Sequence, residues 1–159
     1  MPGGDEVTDQ ERRQAAERLA LVLTEGGLQR MSARVLAFFL FTDAETVTMG
    51  DIADRLGASA GSVSGAVKAL LATGLIERLP APGSRREHYR LRDNAWPTLF
   101  STQNTMVDVM LQAAETGIAT TVSGDPAHTR LARMRDFYRF LLSELPGLLH
   151  RWEQSHTLR

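Results

Sequence analysis

The chain has 159 residues, 43% of them hydrophobic and a formal net charge of −1, enough apolar material for one compact unit or one module with appendages, and no general excess of charge. It contains no cysteine, which excludes disulfide staples, thiolate catalysis and cysteine-based zinc or redox sensing and fits a reducing compartment. No run approaches the ~18 consecutive apolar residues of a membrane span, and Met1 to Glu6 lacks the features of a signal peptide, so a soluble cytoplasmic protein is expected.

In chain order, Pro2-Gly3-Gly4 reads as a loose tail. Thr8-x-x-Glu11 is a capping box, and the helix behind it carries Ala16, Leu19, Ala20 and Leu23 on one face until Gly26-Gly27. A short helix starting at a Ser32 N-cap is apolar nearly all round, from Val35 to Phe41, and is expected to be buried. Thr48 with Asp51 caps a third helix, which Gly57 closes because the left-handed conformation after a helix end costs glycine least. Ser59 caps a fourth helix of about four turns, with Val63, Ala66, Val67, Leu70 and Leu71 forming one apolar stripe up to Gly74. Gly61, Ser62, Ser64, Gly65 and Lys68 then fall on the side opposite the stripe, small or basic and with no carboxylate among them.

After Gly74 the period becomes strand-like. Leu75 to Leu79, a Pro80-Ala81-Pro82-Gly83-Ser84 turn and the alternating return Arg85 to Arg92 predict a hairpin. Glu77 to Arg92 holds five Arg against two Glu, so positive charge is concentrated here, where it can meet phosphates or simply be solvated. Asp93 or Asn94 caps a long helix with Pro97 in its first turn. This helix has two apolar stripes, Leu99, Met106, Met110 and Ala113 on one and Phe100, Val107, Leu111, Ala114 and Ile118 on the other. Gly117 to Asp125 breaks the chain. Pro126 opens a last helix with Leu131, Met134, Tyr138, Leu141 and Leu145 at spacings of 3 and 4, which Pro146 is expected to kink or restart.

The fold class expected is mostly α with a small β-hairpin wing: a winged helix-turn-helix over 28–94, flanked by a dimerisation helix at 1–27 and a helical dimerisation region at 95–159. Two apolar faces on one helix must both be buried, which a module this small cannot do alone, so a homodimer is expected.

The runs Gln29 to Ala37, Asp51-Ile52-Ala53, Ser59 to Ser64, Gly74-Leu75-Ile76-Glu77-Arg78 and Pro82-Gly83-Ser84-Arg85-Arg86 resemble winged-helix regulators of the MarR superfamily, most of all its GbsR-type branch. The resemblance covers roughly residues 27 to 96. It implies a homodimeric transcription factor, usually a repressor, whose recognition helices and wings bind a pseudo-palindromic double-stranded DNA operator. In many such proteins an Asp precedes the wing arginines, whereas here Gly83-Ser84 precede Arg85. The DNA-binding residues expected are Ser59, Gly61, Ser62, Ser64, Gly65, Lys68, Arg85, Arg86 and His88. The resemblance also implies a small-molecule effector held where the dimerisation helices meet the winged domain, which would draw on Leu23, Phe39, Trp96, Phe100 and Met106; core packing explains the same residues. Its GbsR side raises choline or betaine, for which no aromatic cage can be placed.

No catalytic constellation, cofactor motif or metal site is expected. His150 and His156 point about 120° apart on one helix, so they cannot be aimed at one ion together. Besides the DNA-binding reading stand a winged-helix module that mediates protein interaction without DNA, which would show an exposed apolar patch on the second helix of the pair, and a small helical enzyme, which would need an acid, base or nucleophile cluster.

Overall fold

The computed structural model describes residues 8–156; the tail read at Pro2-Gly3-Gly4 and the segment Met1 to Glu6 lie outside them. The first helix, α1 (Asp9–Glu25), starts at the Thr8 capping box, where Thr8 N donates to Glu11 Oε2 at 2.8 Å and Glu11 N donates back to Thr8 Oγ1 at 3.2 Å. It buries Ala20 and Leu23 while Ala16 and Leu19 are partly covered, as its apolar spacing requires. The second, α2 (Arg30–Phe41), begins three residues earlier than the sequence suggests: its N-cap is Gln29, without a side-chain cap, and Ser32 is buried inside the helix. Serine is tolerated there because it sits on the same buried side as Val35, Leu36 and Phe39, so packing outweighs its preference for caps.

The helix pair follows its local signals. α3 (Met49–Leu56) has the Thr48–Asp51 capping box and ends at Gly57 with φ 60°, the left-handed conformation expected there. α4 (Ala60–Ala72) starts at Ser59 and buries Val63, Ala66, Val67 and Leu70, with Leu71 half-buried. Gly74, at φ 73°, turns the chain into β1 (Ile76–Leu79), which pairs antiparallel with β2 (His88–Leu91) in the register Ile76↔Leu91 to Leu79↔His88. A bridge absent from the sequence reading adds Val47, whose N–H and carbonyl both bond to Tyr89, at 2.9 and 2.8 Å. Tyr89 and Val47 are therefore core residues that tie the hairpin to the turn before α3.

The single long helix expected after Asp93 is two helices, α5 (Ala95–Gln103) and α6 (Thr105–Ala119). Asn104 interrupts them, and beside it Thr105 Oγ1 donates to the Thr102 carbonyl at 2.9 Å, a local bond of the kind that competes with the helical ladder. α7 (Pro126–His156) runs as one helix of 31 residues with Pro146 inside it, so the proline does not restart it.

Contacts divide the chain into two compact units, Met1–Leu99 and Phe100–Arg159. The first holds α1 to β2 around one core. In the second, α6 and α7 form a hairpin in which Ala114 is buried and Arg139 donates to Glu115 at 2.6 Å. No helix among the described residues is long and apolar enough to cross a membrane.

Candidate nucleic-acid interface

Two features place α4. Ser59 Oγ accepts from Ser62 N at 3.2 Å and fixes its first turn, and the four buried residues of its stripe seat it on the core of the first unit. At 100° per residue Gly61, Gly65 and Lys68 point about 150–170° away from the centre of that stripe, directly outward. All three are exposed, and a Cβ built on either glycine would meet nothing within 4 Å. Neither glycine has a positive φ. The fold itself therefore does not demand glycine at 61 or 65, although glycine in a helix costs roughly 1 kcal/mol relative to alanine.

The two serines are placed differently from the sequence expectation. Ser62 and Ser64 lie about 90° and 110° from the stripe centre, on the flanks instead of the opposite face. Ser64 is half-buried, and the Ser62 hydroxyl accepts from Ser59 Oγ at 2.9 Å. Ser59 and Ser62 are thus partly committed to the cap.

The wing loop is anchored at a turn in which Ser84 N donates to the Ala81 carbonyl at 3.0 Å, with Pro82 followed by Gly83 at φ 83°, the pattern of a type II turn. Cross-strand pairing settles which of the five arginines carry uncompensated charge. Arg90 Nε donates to Glu77 Oε1 at 2.7 Å, and Arg78 Nε lies 3.5 Å from Glu87 Oε2. Arg85, Arg86 and Arg92 have no ion pair among the described residues, and all three are exposed. Arg86 reaches towards the start of α3: its Nη1 would lie 3.8 Å from a Cβ at Gly50, and its charge helps hold the Asp51 carboxyl below the usual aspartate range. The first cause of that depression is the Thr48 N–H donated to Asp51, followed by the Thr48 hydroxyl.

His88, grouped on sequence with the DNA contacts, has both ring nitrogens engaged within the protein. Nδ1 is 3.1 Å from Thr46 Oγ1 and Nε2 is 3.4 Å from Ser84 Oγ, so the ring braces the wing turn against the loop before α3. Below it the Tyr89 hydroxyl donates to Glu87 at 2.6 Å; burial first, and then the Glu87 carboxylate, raises the Tyr89 pKa.

Of the residues expected around an effector, Leu23 and Phe39 are buried in the core of the first unit. Trp96, Phe100 and Met106 are 45%, 44% and 65% exposed. None of the five lines the cavity of about 880 Å³ that opens among α1, α2, the loop 42–48 and α3. That groove was missed on sequence, because the ion pairs of its walls join residues as far apart as Asp9 and Arg55, which no local pattern reveals.

The profile of the MarR family matches residues 26–87, and that of MmpR5-like MarR family transcriptional regulators matches residues 94–155. The HTH-type transcriptional regulator MmpR5 of Mycobacterium tuberculosis is 30% identical over 128 residues, covering 80% of this chain and 78% of that protein. A crystal structure of a transcriptional regulator superposes with a TM-score of 0.68 at 27% identity, over 91% of this chain and 99% of the other. The winged helix-turn-helix, its wing and the helices that follow it are accordingly those of a regulator and not of an enzyme, and the chain belongs to the MarR family of transcriptional regulators.

Proposed function

We propose that the chain is a homodimeric, sequence-specific DNA-binding regulator that presents α4 to the major groove and its wing to the flanking phosphates or minor groove, acting as a cytoplasmic repressor released by a small-molecule effector. The observation that carries this reading is that one compact unit presents both a carboxylate-free outward face on α4, Gly61, Gly65 and Lys68, and three exposed wing arginines without an ion pair among the described residues, in a chain of net charge −1. Small residues let the helix approach base edges closely, and fixed cations replace condensed counterions on the duplex. In this reading residues 28–94 read DNA and residues 1–27 and 95–159 dimerise.

Dimerisation is supported by apolar side chains left exposed in the second unit, Met106, Val109, Phe137, Phe140, Leu148 and Trp152. A symmetric operator needs two recognition helices about 34 Å apart, which a two-fold dimer supplies. The finer placement beside the GbsR-type branch rests on the likeness of residues 27–96 alone; the MmpR5-like match lies over residues 94–155.

A salt titration tests the reading. If Lys68, Arg85, Arg86 and Arg92 each neutralise one phosphate, a dimer makes about eight such contacts, and log K against log salt should fall with a slope of about −7. Binding to the upstream DNA of its own gene that is absent or insensitive to salt would sink the proposal.

A further inference from the structure

None of the residues given above as open to DNA, Gly61, Gly65, Lys68, Arg85, Arg86 and Arg92, lines the groove among α1, the end of α2 and α3. Its volume of about 880 Å³ is within the ordinary range of small-molecule sites, and all of its lining belongs to the first unit. Phe38, Phe41, Val47 and Leu56 give it an apolar lining. Around them stand four arginines and five carboxylates.

The arginines are all committed. Arg12 donates to Asp43 at 2.5 Å, Arg13 pairs with Asp9 at 3.0 Å, and Arg55 pairs with Asp9 from the other side. Arg34 holds both oxygens of Glu17, the shortest bond being 2.8 Å, and donates to the Leu56 carbonyl at 3.2 Å. Asp54 is left without an ion pair among the described residues, and Asp51 has no ion pair either, being held by the α3 cap and, more weakly, by the charges of Arg86 and His88. Four guanidiniums thus share three carboxylates, Asp9 serving two of them, while Asp51 and Asp54 add negative charge, so an anion finds every guanidinium already engaged and one more carboxylate than guanidinium in the lining. A cation with an apolar body finds the reverse, together with aromatic side chains whose faces attract positive charge.

We propose that this groove binds an organic cation with an aromatic or otherwise apolar body. The Asp9–Arg55 pair joins α1 to α3 across it, so an occupant that competes for Asp9 bears directly on the first helix of the helix pair. The consequence for DNA rests on the regulator reading above; binding itself does not.

The test uses the full chain and two probes of one shape and opposite charge, tetraphenylphosphonium and tetraphenylborate, in titration calorimetry. The cation is expected to bind once per chain and about tenfold or more tightly than the borate. Asp54→Asn, at an exposed position, and Phe41→Leu, which keeps most of the volume but removes the ring, should each weaken the cation at least about threefold with circular dichroism unchanged. If Phe41→Leu fails to fold, Asp54→Asn decides alone. Equal affinity for both probes, no binding of the cation, or affinity indifferent to Asp54→Asn overturns the proposal; a second copy closing the groove would give the second of these. Adding tetraphenylphosphonium to the protein–DNA complex separates the two readings: cation binding without any salt-dependent DNA binding refutes the regulator reading alone, and DNA binding without cation binding refutes the groove alone.

Discussion

Arg90 and Glu77 stand opposite each other in the wing, and the Arg90 guanidinium donates to the Glu77 carboxylate at 2.7 Å. With Arg78 beside Glu87, this removes two of the five wing arginines from the count of charges open to DNA. Replacing Arg85 and Arg86 together with alanine should therefore reduce the salt slope of DNA binding by about one to two units per protomer and weaken specific and random DNA alike. Arg90→Gln should leave the slope within roughly half a unit of the parent, since its charge is already paired. Equal effects of the two changes in a fluorescence-anisotropy titration would show that pairing does not govern the contact.

What sequence could and could not reveal divides along the same line. The caps at Thr8, Thr48 and Ser59, the Gly57 and Gly74 terminations and the Gly83 turn are local, each set by residues within three or four positions, and all are where their spacing puts them. The wing pairings, the Val47–Tyr89 bridge and the Thr46–His88 contact join residues up to 42 positions apart, and need strand register or tertiary packing to be seen. Local readings that differed include Ser32 as a cap, Ser62 and Ser64 opposite the α4 stripe, a restart at Pro146 and the unbroken helix after Asp93: the first yields to burial in α2, and the last to the interruption at Asn104, where Thr105 donates to the Thr102 carbonyl.

Gly65 offers a test in which stability and binding move in opposite directions. Its Cβ position is open and its φ ordinary, so Gly65→Ala should raise the stability of α4 by up to about 1 kcal/mol, a shift in Tm of roughly 2–4 °C. On a helix that enters a groove closely, the added methyl should nevertheless weaken operator binding. A variant that is both more stable and fully competent for DNA would mean that this face is ordinary solvated surface.

In the α6–α7 hairpin a Cβ at Gly117 would lie 3.0 and 3.2 Å from the two Leu131 methyl carbons. Gly117→Val should therefore cost about 1–3 kcal/mol by overpacking, read from chemical denaturation. Combining it with Leu131→Val should recover part of that loss, because the two residues contact each other and their effects should not add. Strict additivity would show that the close approach is not the cause.

Asp51 supplies one part of the pH dependence, since the Asp9 and Glu11 carboxyls are also held below their usual range, by Arg55 and by the Thr8 N–H respectively. Its carboxyl is depressed chiefly by the Thr48 N–H, which donates at 2.8 Å, so the folded state favours the ionised form more than the unfolded state does. The resulting stabilisation is present above the ordinary aspartate pKa and is lost as pH falls through the lower folded value. Asp51→Ala should lower Tm at pH 7, and the gap from the parent should narrow as pH is taken from about 4 to about 2. A gap of constant size would assign the effect to packing instead of the charged cap.

The exposed apolar side chains of the second unit set the last expectation. Phe137 and Phe140 are 56% and 60% exposed on α7, and their rings leave a large apolar surface in water unless a second copy covers it. Phe137→Glu with Phe140→Glu places two carboxylates per chain into such an interface, whereas α6 and α7 keep their own contacts through Ala114, Gly117 and Leu131, which the changes do not touch. Light scattering should then report a monomer with undiminished helix content, and affinity for a two-half-site operator should drop far more than affinity for a single half-site, because only the first gains from two linked recognition helices. A double variant that remains dimeric would place the interface elsewhere on the chain, with the exposed Leu21 and Val22 of α1 the next surface to alter.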